Sequence, residues 1–138
     1  MLEIKDLFFN AKARREFLSS PSAEARQIEE VVKKIALAQF GVGIQYSADR
    51  KQLTIPKAET YQDLDRVKAI LGEGFAKHAL WVSDEKEGVA VEGYITDPTY
   101  QRARGDMQYL YINGRCIKEP SLMMSLRQAY SDVMYQKN

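Results

Sequence analysis

The residues of this sequence whose type and spacing could do chemistry are basic ones, and they occur in three groups. Two groups are adjacent pairs, Arg14–Arg15 and Lys33–Lys34. The third group is a local excess of positive charge, in which four basic residues are accompanied by one acidic residue, Asp106. The members of the third group are Arg102, Arg104, Arg115 and Lys118. Cations along one groove bind a phosphate backbone without reading base sequence. The groups therefore predict an anion-binding surface, although each group alone is also typical of a solvated face.

Other reactive side chains do not form a recognisable catalytic or metal-binding motif. His78 is the single histidine and Cys116 the single cysteine, so we expect no zinc site. A catalytic triad would need His78, but the favoured interpretation of this residue is a partly exposed histidine at a helix-to-strand junction. Cys116 lies beside Arg115, which can activate a thiol, but a small structural thiol is favoured. No glycine-rich segment has the lysine and spacing of a P-loop. We therefore expect no catalytic residue and no metal.

Two further clusters each allow a functional and a structural interpretation. Asp84, Glu85 and Glu87 could hold a cation weakly, but they fit a solvated hairpin tip better. Tyr109 and Tyr111 alternate on one face of a predicted strand and could stack on bases. Tyrosines on a sheet face beneath a helix more often belong to the core, and this interpretation is favoured.

Composition places the chain among ordinary globular domains. It has 138 residues, of which 45% are hydrophobic and 28% charged, with a net charge of +1 that indicates no particular partner. No apolar run approaches the roughly 20 residues that a membrane helix needs, and the start lacks the features of a secretory signal. One cysteine suits a reducing compartment.

Periodicity and capping residues predict an α+β fold. Ser20 before Pro21 predicts the start of a long helix that ends before Gly41. Further helices are predicted near residues 11–18, 61–75 and 120–135, and strands near residues 2–9, 43–49, 51–58, 78–84, 88–98 and 107–114. The side chains expected to face inward on the later helices are Leu64, Val67, Ile70, Leu71, Leu122, Leu126, Ala129, Tyr130 and Val133. This order predicts a mixed, mostly antiparallel sheet with helices packed on one face.

Four segments resemble one protein family in that family's order. "DLFFNAKARREFL" resembles the "DLF-N-PARRKFL" segment of the MutL family of DNA mismatch-repair proteins. "IEEVVKKIALAQ" is similar to the helix that follows, and "GYITDP" to a later glycine-led strand. "YLYINGRCIKEPSLMMSLRQAY" is similar to the family's aromatic strand, Asn-Gly-Arg turn and final helix. Together these segments are distributed over nearly all of the chain, from residue 6 to residue 130.

The resemblance implies a piece of a larger protein. Family members begin with an ATPase domain of the GHKL type, whose nucleotide motifs would lie upstream. Residues 1–18 would form the junction from that domain, and residues 19–138 a transducer domain incomplete at its C-terminus, with its last strands missing. The resemblance implies no cofactor in this chain, with ATP and Mg bound by the full-length ATPase. The chain by itself is expected to be inactive, since the family's nucleotide-contacting lysine follows in a downstream "HPxKxEVRF" segment.

The resemblance also assigns roles residue by residue. Phe8, Phe9 and Asn10 would form the domain junction, and Asn113 and Gly114 a turn with unusual backbone angles. Sequence-nonspecific DNA binding would use Arg14, Arg15, Lys33, Lys34, Arg102, Arg104, Arg115 and Lys118. Expected partners are DNA, the mismatch-recognition protein MutS and other repair proteins, and a second copy of the N-terminal region when ATP is bound. No membrane is implied, and the expected location is the bacterial cytoplasm.

Two alternatives stay open at this point. One is a stand-alone nucleic-acid-binding module, and the other is the transducer domain of a topoisomerase-type ATPase. Three departures from the family pattern change the charge or rigidity of the segments expected to bind DNA: Ala11–Lys12 replaces the usual Thr-Pro, Glu16 replaces a frequent lysine, and Pro120 replaces a basic residue of some members. GHKL motifs upstream and "HPxKxEVRF" downstream in the gene would favour MutL.

Overall fold

The chain contains both helices and strands, as the sequence predicts. The computed structural model describes residues 2–48, 51–100 and 107–135, with side chains described as far as residue 131. The elements of this part are, in order, α1 (Lys12–Glu16), α2 (Pro21–Ala38), β1 (Ile44–Ala48), β2 (Lys51–Ile55), α3 (Leu64–Leu71), α4 (Glu73–Ala76), β3 (Ala79–Lys86), β4 (Val89–Thr96), β5 (Leu110–Ile112), β6 (Arg115–Ile117) and α5 (Pro120–Tyr135). The α+β class is confirmed.

Helix α2 is the element on which most others pack. The side chain of Ser20 accepts a bond from the backbone N–H of Ala23 at 3.4 Å, and Pro21 occupies the first helical turn. Both features fix the start of the helix, because they satisfy or remove amide donors that lack a partner there. The helix contacts β1, α3 and β6. It therefore joins the first half of the chain to the second.

The strands form three hairpins. Each described strand pairs antiparallel with its sequence neighbour, β1 with β2, β3 with β4 and β5 with β6. Antiparallel pairing is confirmed, whereas the single sheet expected from the sequence is replaced, within the described residues, by three separate two-stranded sheets. Each described strand pairs only with the strand next to it in sequence, and the β3–β4 and β5–β6 hairpins close through two-residue turns.

The core lies between α2, β2 and α3. Ala36, Ile55 and Ile70 form its centre, and each is almost completely buried. The partly buried residues around them are Val32, Leu37, Ile44, Leu53 and Leu71. The α3 segment begins at the Asp63 cap, where the carboxylate accepts from the Arg66 amide at 2.9 Å. Alternation along β2 and helical spacing along α2 and α3 bring these apolar residues together.

Several local expectations are wrong. Residues 2–9 contain no strand; instead Asp6 and Phe8 adopt positive φ values of 49° and 64° in a turn that leads into α1. Leu64 is exposed although its spacing predicts an inward position, and so are Leu122, Leu126 and Ala129 on α5. Helical spacing defines an apolar face, but a face is buried only where another element covers it.

Much apolar surface remains accessible. Large apolar side chains are exposed on several of the described elements. Among the contributors are Ile28, Val31 and Ile35 on α2, and Leu80, Val82, Val89 and Val91 on the β3–β4 hairpin. Within the described residues, none of the helices combines the length and the apolar run that crossing a bilayer requires. Such surface is typical of a protein that packs against further protein.

Candidate nucleic-acid interface

Lys33 on α2 is held in ion pairs. Its ammonium lies 3.0 Å from the carboxylate of Glu29 and 3.2 Å from that of Glu30. Burial lowers the pKa of Lys33, but the bonds to the two glutamates outweigh it, so the pKa is raised. Glu29 is itself buried and also accepts from Lys51 at 2.5 Å, a bond that is the main cause of its lowered pKa. Much of the Lys33 charge is therefore balanced within the protein.

Lys34 has a different environment from Lys33. Its side chain helps to line a shallow depression of about 330 Å³ together with Arg26, Gln27, Glu30 and Val31. No ion pair involves the Lys34 ammonium within residues 2–48, 51–100 and 107–131. This cation is available to an anion from solution.

The β5–β6 hairpin is fastened to α2 by two tyrosines. The Tyr111 hydroxyl donates to the backbone oxygen of Lys34 at 2.8 Å, and the Tyr109 hydroxyl donates to the Glu30 carboxylate at 3.0 Å. Burial, with a smaller contribution from Cys116 on the facing strand, raises the pKa of Tyr111 far above its ordinary value. The hydroxyl therefore stays protonated and keeps donating throughout the physiological range. Both tyrosines are half-buried packing residues rather than open stacking platforms.

This contact positions the basic residues of the hairpin. Asn113 and Gly114 adopt φ values of 47° and 77° in the two-residue turn between β5 and β6. Positive φ at both central residues is the geometry that favours Asn-Gly in tight hairpins. Arg115 begins β6 and Lys118 follows it, and both are exposed. Because β6 contacts α2, the cations of the hairpin and of the helix belong to neighbouring elements.

Arg14 and Arg15 lie at the end of α1, which buries none of its residues. Both are exposed, and a cation in the last helical turn is favoured by the helix dipole. The turn before α1 leaves Phe8 half-buried and Phe9 80% exposed, and Asn10 is also exposed. Among the described residues, α1 is not one of the elements that pack closely on α2, which are β1, α3 and β6. Arg102 and Arg104 lie outside the described residues.

His78 belongs to a polar cluster at the junction of two elements. Its Nδ1 lies 2.7 Å from an Asp97 oxygen and 3.4 Å from the Thr99 hydroxyl, and its ring stacks on Tyr100 at 5.2 Å. A hydrolytic triad needs the carboxylate on one ring nitrogen and the nucleophile on the other. Here both contact the same nitrogen, so the cluster fixes the junction between α4 and the end of β4 rather than activating the Thr99 hydroxyl.

The remaining candidate residues show no assembled site. Cys116 is exposed on β6, and Asp84, Glu85 and Glu87 are exposed around the β3–β4 turn. No group of three potential metal ligands occurs in the described part of the chain. A cavity of about 30 Å³ beside α3 is an order of magnitude below ordinary ligand pockets. The surface around α2, which carries several charged side chains, is therefore the candidate site.

Protonation of Asp97 is expected to weaken the fold between about pH 4 and pH 2. Hydrogen bonds from Thr99 and then His78 lower the pKa of Asp97 from 3.8 to about 2. A carboxylate with a lowered folded-state pKa stabilises the fold above its unfolded value and loses this contribution as the pH falls through the folded value. Urea unfolding of Asp97→Asn and the starting protein should show a stability gap at pH 5 that closes towards pH 2. Glu92→Gln, which changes an exposed carboxylate on β4, is the control and should show no such pH-dependent difference from the starting protein. A difference in unfolding free energy between Asp97→Asn and the starting protein that stays constant from pH 5 to pH 2 would contradict the prediction.

Sequence reasoning missed two arginines. Arg26 shares the depression with Lys34, and its spacing of eight residues from Lys34 was a signal that a search for adjacent basic pairs does not detect. Arg66 is 3% exposed and donates from one terminal nitrogen to the backbone oxygens of Ala36 and Gln39, both at 2.8 Å. Its other terminal nitrogen donates to the backbone oxygen of Pro56. No local signal marks Arg66, because its acceptors are distant in sequence.

Comparison with known proteins gives one consistent result. Residues 67–138 match the family model described as DNA mismatch repair protein, C-terminal domain. The chain is 35% identical over 136 residues to the DNA mismatch repair protein MutL of Coxiella burnetii, covering 97% of this chain and 24% of that protein. It is 36% identical over 137 residues to the MutL protein of Pseudomonas fluorescens (97% and 22%), and 39% identical over 135 residues to that of Xylella fastidiosa (98% and 22%). The chain thus spans less than a quarter of the length of these relatives.

Proposed function

The chain belongs to the MutL family of DNA mismatch repair proteins, and from this premise we propose that it is the transducer part of such a protein. In this role it couples ATP binding by an adjacent GHKL-type ATPase domain to dimerisation and to sequence-nonspecific DNA binding. The observation that carries the proposal is similarity along 97–98% of the chain to proteins named for mismatch repair. ATP and Mg are cofactors of the whole protein in this proposal.

The packing of the chain supports a coupling role. Helix α2 precedes the segment that matches the family model, and β5–β6 lies inside it. The bonds from Tyr109 and Tyr111 join the two directly, and the guanidinium of Arg66 bonds the last turn of α2. A displacement of one part would be transmitted to the other through these bonds. The accessible apolar surface is available for contacts with an ATPase domain and a second copy.

The basic residues support the DNA part of the proposal. Exposed cations on α1 and after β5 are Arg14, Arg15, Arg115 and Lys118. On α2, Lys34 is half-buried and in no ion pair with the described residues, and Lys33 adds a cation that is already paired. Arg102 and Arg104 belong to the proposed set on sequence grounds alone. Side chains of this kind contact phosphates and fix the protein on a duplex without carrying sequence information. In the whole protein, the repair partners would include MutS, and the site of action would be the bacterial cytoplasm.

The salt dependence of DNA affinity tests this proposal. If about four cations contact phosphates, the logarithm of the association constant should fall with the logarithm of salt concentration with a slope near −3.6. Reversing Arg14, Arg15, Lys33 and Lys34 together to glutamate should flatten this slope markedly, because the contacting cations are lost. The measurement is fluorescence anisotropy with a duplex of arbitrary sequence between about 50 and 200 mM salt.

A variant with the same net charge serves as the control. Glutamate replaces four exposed cations outside α1, α2 and β6, namely Lys57, Lys77, Lys86 and Arg127. This variant should retain most of the slope if the proposed positions bind phosphate. A slope near zero in the starting protein would remove the DNA-binding part of the proposal.

A further inference from the structure

A row of alternating charge runs along a face of α2 that is exposed at Arg26 and half-buried at Glu30 and Lys34. Arg26, Glu30 and Lys34 are spaced by four residues, so they lie on one face of the helix, and all three line the same depression. The rise of 1.5 Å per residue separates the two cations by about 12 Å along the axis. If the acid between them were free, it would neutralise much of the attraction of this row for an anion.

The central acid is not free. One oxygen of Glu30 accepts from the Tyr109 hydroxyl at 3.0 Å, and the other lies 3.2 Å from the Lys33 ammonium. Arg26 donates from Nε to the backbone oxygen of Ser22 at 3.2 Å, which directs its guanidinium along the helix. Neither Arg26 nor Lys34 forms an ion pair with any residue that the structure describes. The row therefore presents two unbalanced cations around an acid whose charge is already satisfied.

We propose that Arg26 and Lys34 are the residues of α2 that contact the phosphates of a nucleic-acid backbone. Lys33 has the structural task of pairing Glu29 and Glu30, and Tyr109 is a positioning residue that holds Glu30 away from the phosphates. The inference rests on the proposed DNA binding and makes it specific. It adds Arg26 to the binding residues and replaces Lys33 by it as the second cation of the helix.

Single charge removals test the assignment by the same anisotropy measurement. Arg26→Gln and Lys34→Gln should each make the slope shallower by about 0.9, which is a loss of about eightfold in affinity near 0.1 M salt. Lys33→Gln frees one Glu30 oxygen, so the charge of Glu30 is removed with it, and the double variant Lys33→Gln/Glu30→Gln should leave the slope within error of the starting value. Arg127→Gln, an exposed arginine on α5, is the matched control and should also leave the slope unchanged. Thermal unfolding of each variant verifies that it is folded.

The salt slope of Tyr109 variants distinguishes a positioning role of this residue from a role in packing alone. Tyr109→Phe frees one oxygen of Glu30, which can then turn to Arg26 or Lys34, so the slope should become shallower. Adding Glu30→Gln to Tyr109→Phe should restore the slope, because the competing charge is gone. Adding Glu30→Gln should not restore any unfolding free energy lost with the hydroxyl.

The outcomes separate this inference from the function on which it rests. A starting protein with no salt dependence overturns the DNA-binding proposal and this inference with it. A salt-dependent protein in which Arg26→Gln leaves the slope unchanged, or in which the double variant Lys33→Gln/Glu30→Gln loses as much slope as Lys34→Gln, overturns the assignment alone. A Tyr109→Phe slope that Glu30→Gln fails to restore overturns the positioning role.

Discussion

Replacing Arg66 by leucine is expected to lower the free energy of unfolding by about 3–5 kcal/mol. The guanidinium bonds three backbone oxygens, one in the last turn of α2, one directly after that helix and one after β2. Bonds from a charged donor contribute about 1.5–3 kcal/mol each, and acceptors that stay buried without a donor add a penalty. Relief of the buried charge offsets part of the loss, because burial already lowers the pKa of Arg66. The total stability of a domain is about 5–15 kcal/mol, so this loss is large.

Urea unfolding followed by circular dichroism and by the fluorescence of the single tryptophan, Trp81, measures this effect. Arg66→Lys retains the charge but has no planar fork, so it should lose roughly half as much as the leucine variant. Arg127→Leu removes an exposed arginine and should change stability by less than about 0.5 kcal/mol. An Arg66→Leu protein as stable as the Arg127→Leu control would show that the three bonds contribute nothing net.

The parts of the fold that the sequence predicts are those fixed by local chemistry. The start of α2 follows from Ser20 and Pro21, since a cap and a proline act within one turn. The β3–β4 hairpin follows from two alternating segments around a turn at Glu87–Gly88, where both φ values are positive. In each case the residues that determine the element lie within a few positions of it.

The parts that the sequence does not predict depend on contacts between distant segments. Arginine is a residue type that is usually exposed, so the sequence favours a surface position for Arg66 on α3. Its three acceptors are nevertheless backbone oxygens of residues 36, 39 and 56. Leu122 and Leu126 have the spacing of a buried face, but no described element covers them. Of the candidate site, the basic positions could be found from the sequence. The sequence could not show which of these basic residues are already held in ion pairs, because Lys33 and Lys34 are adjacent lysines that differ only in their contacts.

These distant contacts converge on α2. The helix contributes Ala36 to the core, its last turn to Arg66, and Glu30 and Lys34 to the tyrosines of β5–β6. The depression that carries the proposed phosphate contacts is on the same helix. A rigid α2 is therefore a condition for the proposed coupling, and stability of the core should be coupled to the geometry of the binding surface.

Ile55→Ala is expected to cost about 2–5 kcal/mol of unfolding free energy, because it removes the largest fully buried side chain of the described core. Ile55 packs with Ala36 and Ile70 between β2, α2 and α3, so the lost methyl groups leave a cavity beneath the helix. Ile55→Val should cost about 0.5–1.5 kcal/mol, and Thr54→Ala on the exposed side of the same strand less than about 0.5. Urea unfolding of the three variants gives this order. A loss for Ile55→Ala no greater than that for Thr54→Ala would mean that the centre of the core lies elsewhere, and that α2 is held mainly by the bonds of Arg66 and the tyrosines.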